Sequence, residues 1–255
     1  MGNSASYVPP QKESLIYPKF ESEQGSLDGK AFAVTGCTTG TGLAAAKLFA
    51  KKGAARVFLL NRPSPRAESG LAAVQAVAAE GCVVTHVDCD LADFASVRRA
   101  AAQVAAETEE LGLDVLANNA GVMALRDVAT RDGYDIQMQT NHLSHFLLTR
   151  ELFPALQKAA EFRGEARIVN HSSFARNGPP GTRLTTENTY EYLGKNGGSL
   201  GGDSASTTVR KSTTRHRADE IASMAYTQVH DLRWCAMGTI RVHQTCQCSI
   251  HACIT

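Results

Sequence analysis

Apolar residues in this chain alternate between short unbroken runs and longer stretches of helical spacing. Ala31-Phe32-Ala33-Val34 is an apolar run that ends in Thr35-Gly36, the pattern of a buried strand meeting a turn. Residues 42–52 are rich in Ala and Leu and stop at Gly53, as a helix does. The alternation continues with a strand at 56–60, an alanine-rich helix over about 66–80, a strand at 82–87 and a helix at 93–111. A fourth strand is expected at 113–117, a long helical stretch carrying Pro154 at 135–160, and a fifth strand at 167–170. Beyond Ser173 the period fades into Gly, Pro and Asn turn chemistry over 174–213, returns as a helical pattern over 221–232, and is lost again after 242.

Strands separated by helices of this length require right-handed crossovers and a parallel sheet covered on both faces. The expected fold is therefore α/β, a doubly wound parallel sheet of Rossmann type with incomplete C-terminal strands. Its ligand should lie at the carboxyl ends of the strands. The expected organisation is a flexible polar arm over 1–28, an NADP-binding Rossmann domain over 29–242 and an irregular tail over 243–255.

Composition narrows the function classes. A 43% hydrophobic, 20% charged chain of 255 residues has globular composition, and a net charge of +1 offers no field for nucleic acid. No apolar run approaches the ~18 residues of a membrane span, and the start has neither the basic residues nor the apolar core of a secretory signal. Seven scattered cysteines are then expected as free thiols in a reducing, cytoplasmic setting. Met1-Gly2-Asn3-Ser4-Ala5-Ser6 fits the N-myristoylation pattern, against an unmodified polar arm as the alternative. A single acyl chain on Gly2 would give only weak, reversible peripheral membrane association. The spacing of His243, Cys246, Cys248, His251 and Cys253 fits no paired zinc pattern, so no metal is expected.

The chemistry starts at Thr35-Gly36-Cys37-Thr38-Thr39-Gly40-Thr41-Gly42, between a strand and a helix. Glycines there let backbone approach a pyrophosphate, and the helix that follows points its amides at the ligand; an ordinary tight turn is the alternative. The second strand ends in Asn61-Arg62, without the acid that would hold ribose hydroxyls. Arg62 can pair with a 2′-phosphate, which favours NADP, or simply face solvent.

These residues belong to a larger set. The glycine turn, Asn118-Asn119-Ala120-Gly121, the stretch from Asn141 to Thr149 (NHLSHFLLT) and that from Arg167 to Ser173 (RIVNHSS) resemble, in order and spacing, the short-chain dehydrogenase/reductases. The likeness is to their retinol-dehydrogenase-like and protochlorophyllide-reductase-like branch and covers about residues 29–206. It implies hydride transfer between NADP and a small-molecule carbonyl or alcohol substrate. It further implies that Gly36, Thr38, Gly40, Thr41 and Gly42 line the pyrophosphate. Asp90 would bond the adenine amino group with Leu91 beside it, while Asn118, Ala120 and Gly121 flank the adenosine ribose. Asn141 would hold a bent helix and an ordered water, Ser173 would bond the substrate carbonyl oxygen, and a homo-oligomer is the family habit.

The family also requires a proton-donating tyrosine and, four residues later on the same helix face, a lysine that lowers its pKa and binds ribose. No tyrosine in this chain has a lysine at that spacing; Tyr192 and Lys195 are three apart in a glycine-flanked segment. Counting back from Ile221-Ala222-Ser223-Met224-Ala225-Tyr226-Thr227-Gln228, a stretch that resembles the family's helix, places His216 at the tyrosine and Glu220 at the lysine. An alignment shifted by one makes the tyrosine position Arg215. A carboxylate in place of the lysine reverses the required charge. The expectation is an oxidoreductase with impaired turnover. A catalytically inactive NADP-binding pseudoenzyme, or a truncated product, is the alternative. Familiar and unfamiliar blocks alternate after residue 206, as reading-frame slips would produce.

Overall fold

A computed structural model of the chain describes residues 16–122, 125, 129–171, 229–235 and 239–245. Five parallel strands form its centre: β1 (Ala31–Thr35), β2 (Arg56–Asn61), β3 (Val83–Asp88), β4 (Val115–Asn118) and β5 (Glu165–Asn170). They lie in the order β3-β2-β1-β4-β5. The chain thus leaves β1 toward β2 and later returns to its other side at β4. That reversal opens a crevice at the carboxyl ends of β1 and β4.

Unbroken apolar strands follow from burial on both sides. Ala31 and Ala33 join Phe58, Leu60, Leu116, Leu148 and Leu152 in one core cluster, while Phe32 and Val34 join Val57, Leu59, Ala46 and Ala50 in the other. The first core is closed by α4 (Phe94–Glu107) and α6 (Ser144–Arg163), the second by α2 (Gly40–Lys51) and α3 (Pro65–Gln75). Phe32 stacks on Phe49 of α2 with ring centroids 4.3 Å apart. Each fully buried large apolar side chain contributes roughly 1.5–3 kcal/mol.

Helix starts follow their caps. Ser64 accepts from Ala67 N–H ahead of Pro65, and Asp93 accepts from Ala95 N–H. The long stretch after residue 135 divides into a short helix α5 (Ile136–Met138), a π-turn (Gln139–Leu143) and α6. Pro154 sits within α6 without ending it, and the helix closes at Gly164 with φ 81°. At its end Arg163 makes a two-pronged ion pair with Asp114, whose carboxylate also accepts from Ala31 N–H at 2.8 Å. One buried acid therefore joins β1, the residue before β4 and the end of α6.

Two regions differ from expectation. Within the polar arm, Ile16–Glu23 forms a helix, α1, that docks on α2. Tyr17 Oη donates to Ala44 O, Lys51 pairs with Glu21, and Lys52 Nζ donates to Gln24 O at 2.8 Å. The lysines at the end of α2 thus find carbonyl and carboxylate partners on the arm. The helical pattern expected over 221–232 also gives way at its end to a strand, β6 (Val229–Cys235), antiparallel to β5. A second strand, β7 (Thr239–Thr245), pairs antiparallel with β6 and runs three residues into the segment expected to be irregular. The physical reason is the free edge of β5, whose unpaired N–H and C=O groups outweigh a weak helical period. The sheet is accordingly mixed: a doubly wound parallel core extended by a hairpin.

Candidate nucleotide-binding and active site

At the end of β1 the chain makes the glycine turn. Gly36 (φ 70°) and Gly40 (φ 60°) occupy the left-handed region that side chains disfavour. A Cβ on Gly36 would lie 2.8 Å from Ala120 Cα, so glycine lets the turn close onto the end of β4; one on Gly40 would meet open space. Thr39, the residue before α2, is extended and makes no side-chain cap bond. The first amides of α2 therefore lack a cap acceptor, beside exposed Gly40 and Thr41. A glycine turn of this shape, leading into uncapped helix amides at exposed Gly40, fits a dinucleotide pyrophosphate.

Asn119 holds the turn. Its Nδ2 donates to Thr35 O at 2.9 Å and Gly36 O at 3.2 Å, and its Oδ1 accepts from Thr41 Oγ1 at 2.9 Å. His171 Nδ1 lies 3.0 Å from the same oxygen. From sequence, a role is expected of its neighbours Asn118, Ala120 and Gly121 but not of Asn119. Its place as the second Asn of Asn118-Asn119 was the one available signal.

Thr35, fully buried, is a second junction. Its Oγ1 accepts from the N–H groups of Asn119 and Ala120, each at 3.0 Å, and lies 3.0 Å from His145 Nε2. Burial lowers the pKa of His145 to about 4, so the ring is neutral at physiological pH. Cys37, in the turn itself, is buried, donates its S–H to Val34 O, and has its thiol pushed up by desolvation; it is no nucleophile.

The remaining expected residues fall into three groups. Asn61 is buried and its Oδ1 accepts from Cys37 N–H at 2.7 Å, so it supports the turn from beneath; Arg62, next in line, is exposed at the start of the α3 approach. Thr38 is half-buried over Gly70 of α3. Asp90 is half-buried, with Oδ1 accepting from Ala92 N–H at 2.9 Å and its own N–H donating to Ser96. Leu91 is buried, and its carbonyl accepts from Ser144 Oγ, which ties this loop to α6. Asn118 is buried between strands: Nδ2 donates to Asn170 Oδ1 at 2.8 Å and Thr149 Oγ1 at 3.1 Å, leaving Oδ1 buried without a partner.

Asn141 lies in the π-turn, where Ser144 N–H reaches Gln139 O five residues back. Its side chain clamps Val122, accepting from the N–H at 2.8 Å and donating to the O at 2.9 Å. Exposed Gly121 lies against the same amide. A small polar cleft opens here between Asn118, Asn141, His145, Thr149, Asn170 and His171. The structure thus brings Gly36, Gly42, Ala120, Gly121 and Asn141 together around the ends of β1 and β4. Ser173, Tyr192, Lys195, Arg215, His216 and Glu220 lie outside the described residues.

Comparison with known proteins agrees with this geometry. The family model described as short chain dehydrogenase matches residues 30–182. Mouse (Mus musculus) retinol dehydrogenase 11 is 40% identical over 166 residues, which cover 65% of this chain and 50% of that protein. Among solved structures, an uncharacterized protein from Mycobacterium paratuberculosis superposes with a TM-score of 0.59 at 28% identity, over 81% of this chain and 63% of that one. L-sorbose reductase from Gluconobacter frateurii, complexed with NADPH and L-sorbose, gives a TM-score of 0.50 at 25% identity, over 62% and 57%. The chain spans about half the length of the curated relatives it matches. Sheet order, glycine turn and family match lead to one conclusion: the chain belongs to the short-chain dehydrogenase family.

Proposed function

We propose that the chain binds NADP(H) at the crevice between β1 and β4 and derives from oxidoreductases acting on a small carbonyl or alcohol. The observation that carries this reading is the turn over residues 36–42, held on β4 by Asn119 and followed by a helix without a side-chain cap. The uncapped amides at the start of α2 hold the pyrophosphate. Arg62, exposed and with no acid at the strand end, pairs with the 2′-phosphate and selects NADP over NAD. Asp90 receives the adenine, and Ala120 and Gly121 border the ribose.

When bound, the nicotinamide supplies or accepts the hydride. The chain's own residues must place the carbonyl and protonate its oxygen. Ser173 donates to that oxygen, and Asn141 positions the proton path. Counting back without a gap puts His216 and Glu220 where the tyrosine and lysine belong, and an alignment shifted by one puts Arg215 at the tyrosine. A carboxylate at the lysine position raises the donor's pKa and lacks the cation that binds the ribose, so turnover is severely reduced. That substitution equally favours the second reading, an NADP-binding module without turnover. Cytoplasmic residence, weak membrane contact through an acylated Gly2 and self-association through α6 complete the proposal.

The test is a fluorescence titration of the full chain with NADPH and NADH, followed by NADPH consumption with a panel of aldehydes and ketones. Saturable binding that favours NADPH, with consumption near the blank, is the expected result. Failure to bind either nucleotide overturns it.

A further inference from the structure

Thr35, His145 and Asn141 form a buried hydrogen-bonded chain whose direction is decided by which atoms can donate. Asn141 O only accepts, so His145 Nδ1, 3.1 Å away, carries the ring proton. The ring is 6% exposed, and its Nε2 lies 3.0 Å from the hydroxyl of Thr35. A neutral ring protonated at Nδ1 offers a lone pair at Nε2, and Thr35 has a single proton to give it. Both remaining lone pairs of the hydroxyl are taken by the N–H groups of Asn119 and Ala120, each at 3.0 Å. Among the described residues the other acceptor near the hydroxyl is Ala117 O at 3.5 Å, the limit of a hydrogen bond. The opposite tautomer would set a lone pair against the carbonyl of Asn141 and a second donor against a hydroxyl whose lone pairs are already used.

Three segments of the nucleotide site are therefore joined through the Thr35 hydroxyl and the His145 imidazole. Thr35 leads into Gly36, Asn119 and Ala120 end β4, and Asn141 sits in the π-turn beside Val122. We propose that His145 is a positioning residue that aims the Asn141 carbonyl and couples the π-turn to the nucleotide-binding turn. Occupancy of residues 36–42 and the placement of Asn141 then depend on one another through the Thr35 hydroxyl. The proposal rests on the nucleotide reading above. His145 itself touches neither nucleotide nor substrate.

The test uses imidazole nitrogen NMR of the full chain, free and with NADPH, together with NADPH affinity. The unmutated chain is expected to show the Nδ1-protonated tautomer, with the Nε2 resonance moving on NADPH addition. T35V removes both the donor to His145 and the acceptor of the Asn119 and Ala120 N–H groups, and should shift Nε2 and weaken NADPH binding by ~10-fold or more. T35S keeps the hydroxyl and should restore both. H145Q should weaken NADPH binding by ~3- to 10-fold, and T35V should cost less on top of H145Q than it does alone. An Nε2-protonated ring overturns the proposal. So do T35V effects that T35S fails to restore, or full additivity of T35V and H145Q. If the unmutated chain binds no NADPH, the nucleotide reading falls and the coupling with it. If NADPH binds and T35V changes neither signal nor affinity, the coupling alone falls.

Discussion

Thr41 Oγ1 donates to Asn119 Oδ1 at 2.9 Å, joining the start of α2 to the end of β4 across 78 residues of sequence. The same carboxamide donates to two carbonyls of the glycine turn, so one side chain sets the distance between the segments that flank the crevice. Replacing Asn119 by Ala leaves those groups without their partner. N119A should weaken NADPH binding about tenfold and lower stability by about 1–3 kcal/mol, measured by nucleotide titration and urea unfolding. A variant that binds as tightly as the parent would show that the clamp is not needed to shape the turn.

Gly36 has φ 70° and stands where a Cβ would lie 2.8 Å from Ala120 Cα, backbone that cannot give way. G36A combines left-handed strain with a clash and should cost about 2 kcal/mol or more, along with loss of NADPH binding. G40A meets open space and carries only the strain, at about 1 kcal/mol. Thermal unfolding of the two variants side by side checks the order.

Asp114, 4% exposed, pairs with Arg163 through both oxygens and accepts from Ala31 N–H. D114A strands a guanidinium and a buried amide far from the nucleotide. Stability should fall by about 3 kcal/mol, while NADPH affinity, measured well below the unfolding transition, should stay within about twofold of the parent. Urea unfolding and titration separate the two.

His145 is lowered from 6.5 to about 4 by burial. As the pH falls through 6.5 the unfolded chain takes up this proton and the folded chain does not. Stability therefore declines from that point down to about pH 4, by up to ~1.4 kcal/mol per pH unit from this group. Burial lowers His142 as well, in the same direction. Urea midpoints between pH 7 and 4.5 should fall on acidification, and H145Q should flatten the slope without abolishing it. An unchanged slope would place the lost protons elsewhere.

Arg62 is exposed beside buried Asn61. R62A should weaken NADPH binding about tenfold and leave NADH nearly unchanged, since only the former carries the 2′-phosphate. Equal losses for both nucleotides would remove Arg62 from the phosphate contact.

What the chain reveals without its structure is what depends on local pattern. Apolar runs at 31–34 and 57–60 marked strands buried on both faces, because a strand covered on each side has no polar positions to alternate with. The glycines of residues 36–42 marked the turn, because few other residues adopt its backbone. Strands parted by helices implied the doubly wound order. Contacts between distant segments left no such trace. Asn119 and His145 are ordinary polar residues in sequence, and only the pairing of β1 with β4 brings them to Thr35. Asn61 is in sequence only the polar end of a strand, and the fold sets its Oδ1 against the Cys37 amide. Residues 229–232 carried a helical period, but the open edge of β5 supplied backbone partners that local spacing does not record. Pattern determined the layers; tertiary structure decided which polar groups meet between them, because a hydrogen bond depends on distance in space and not on separation along the chain.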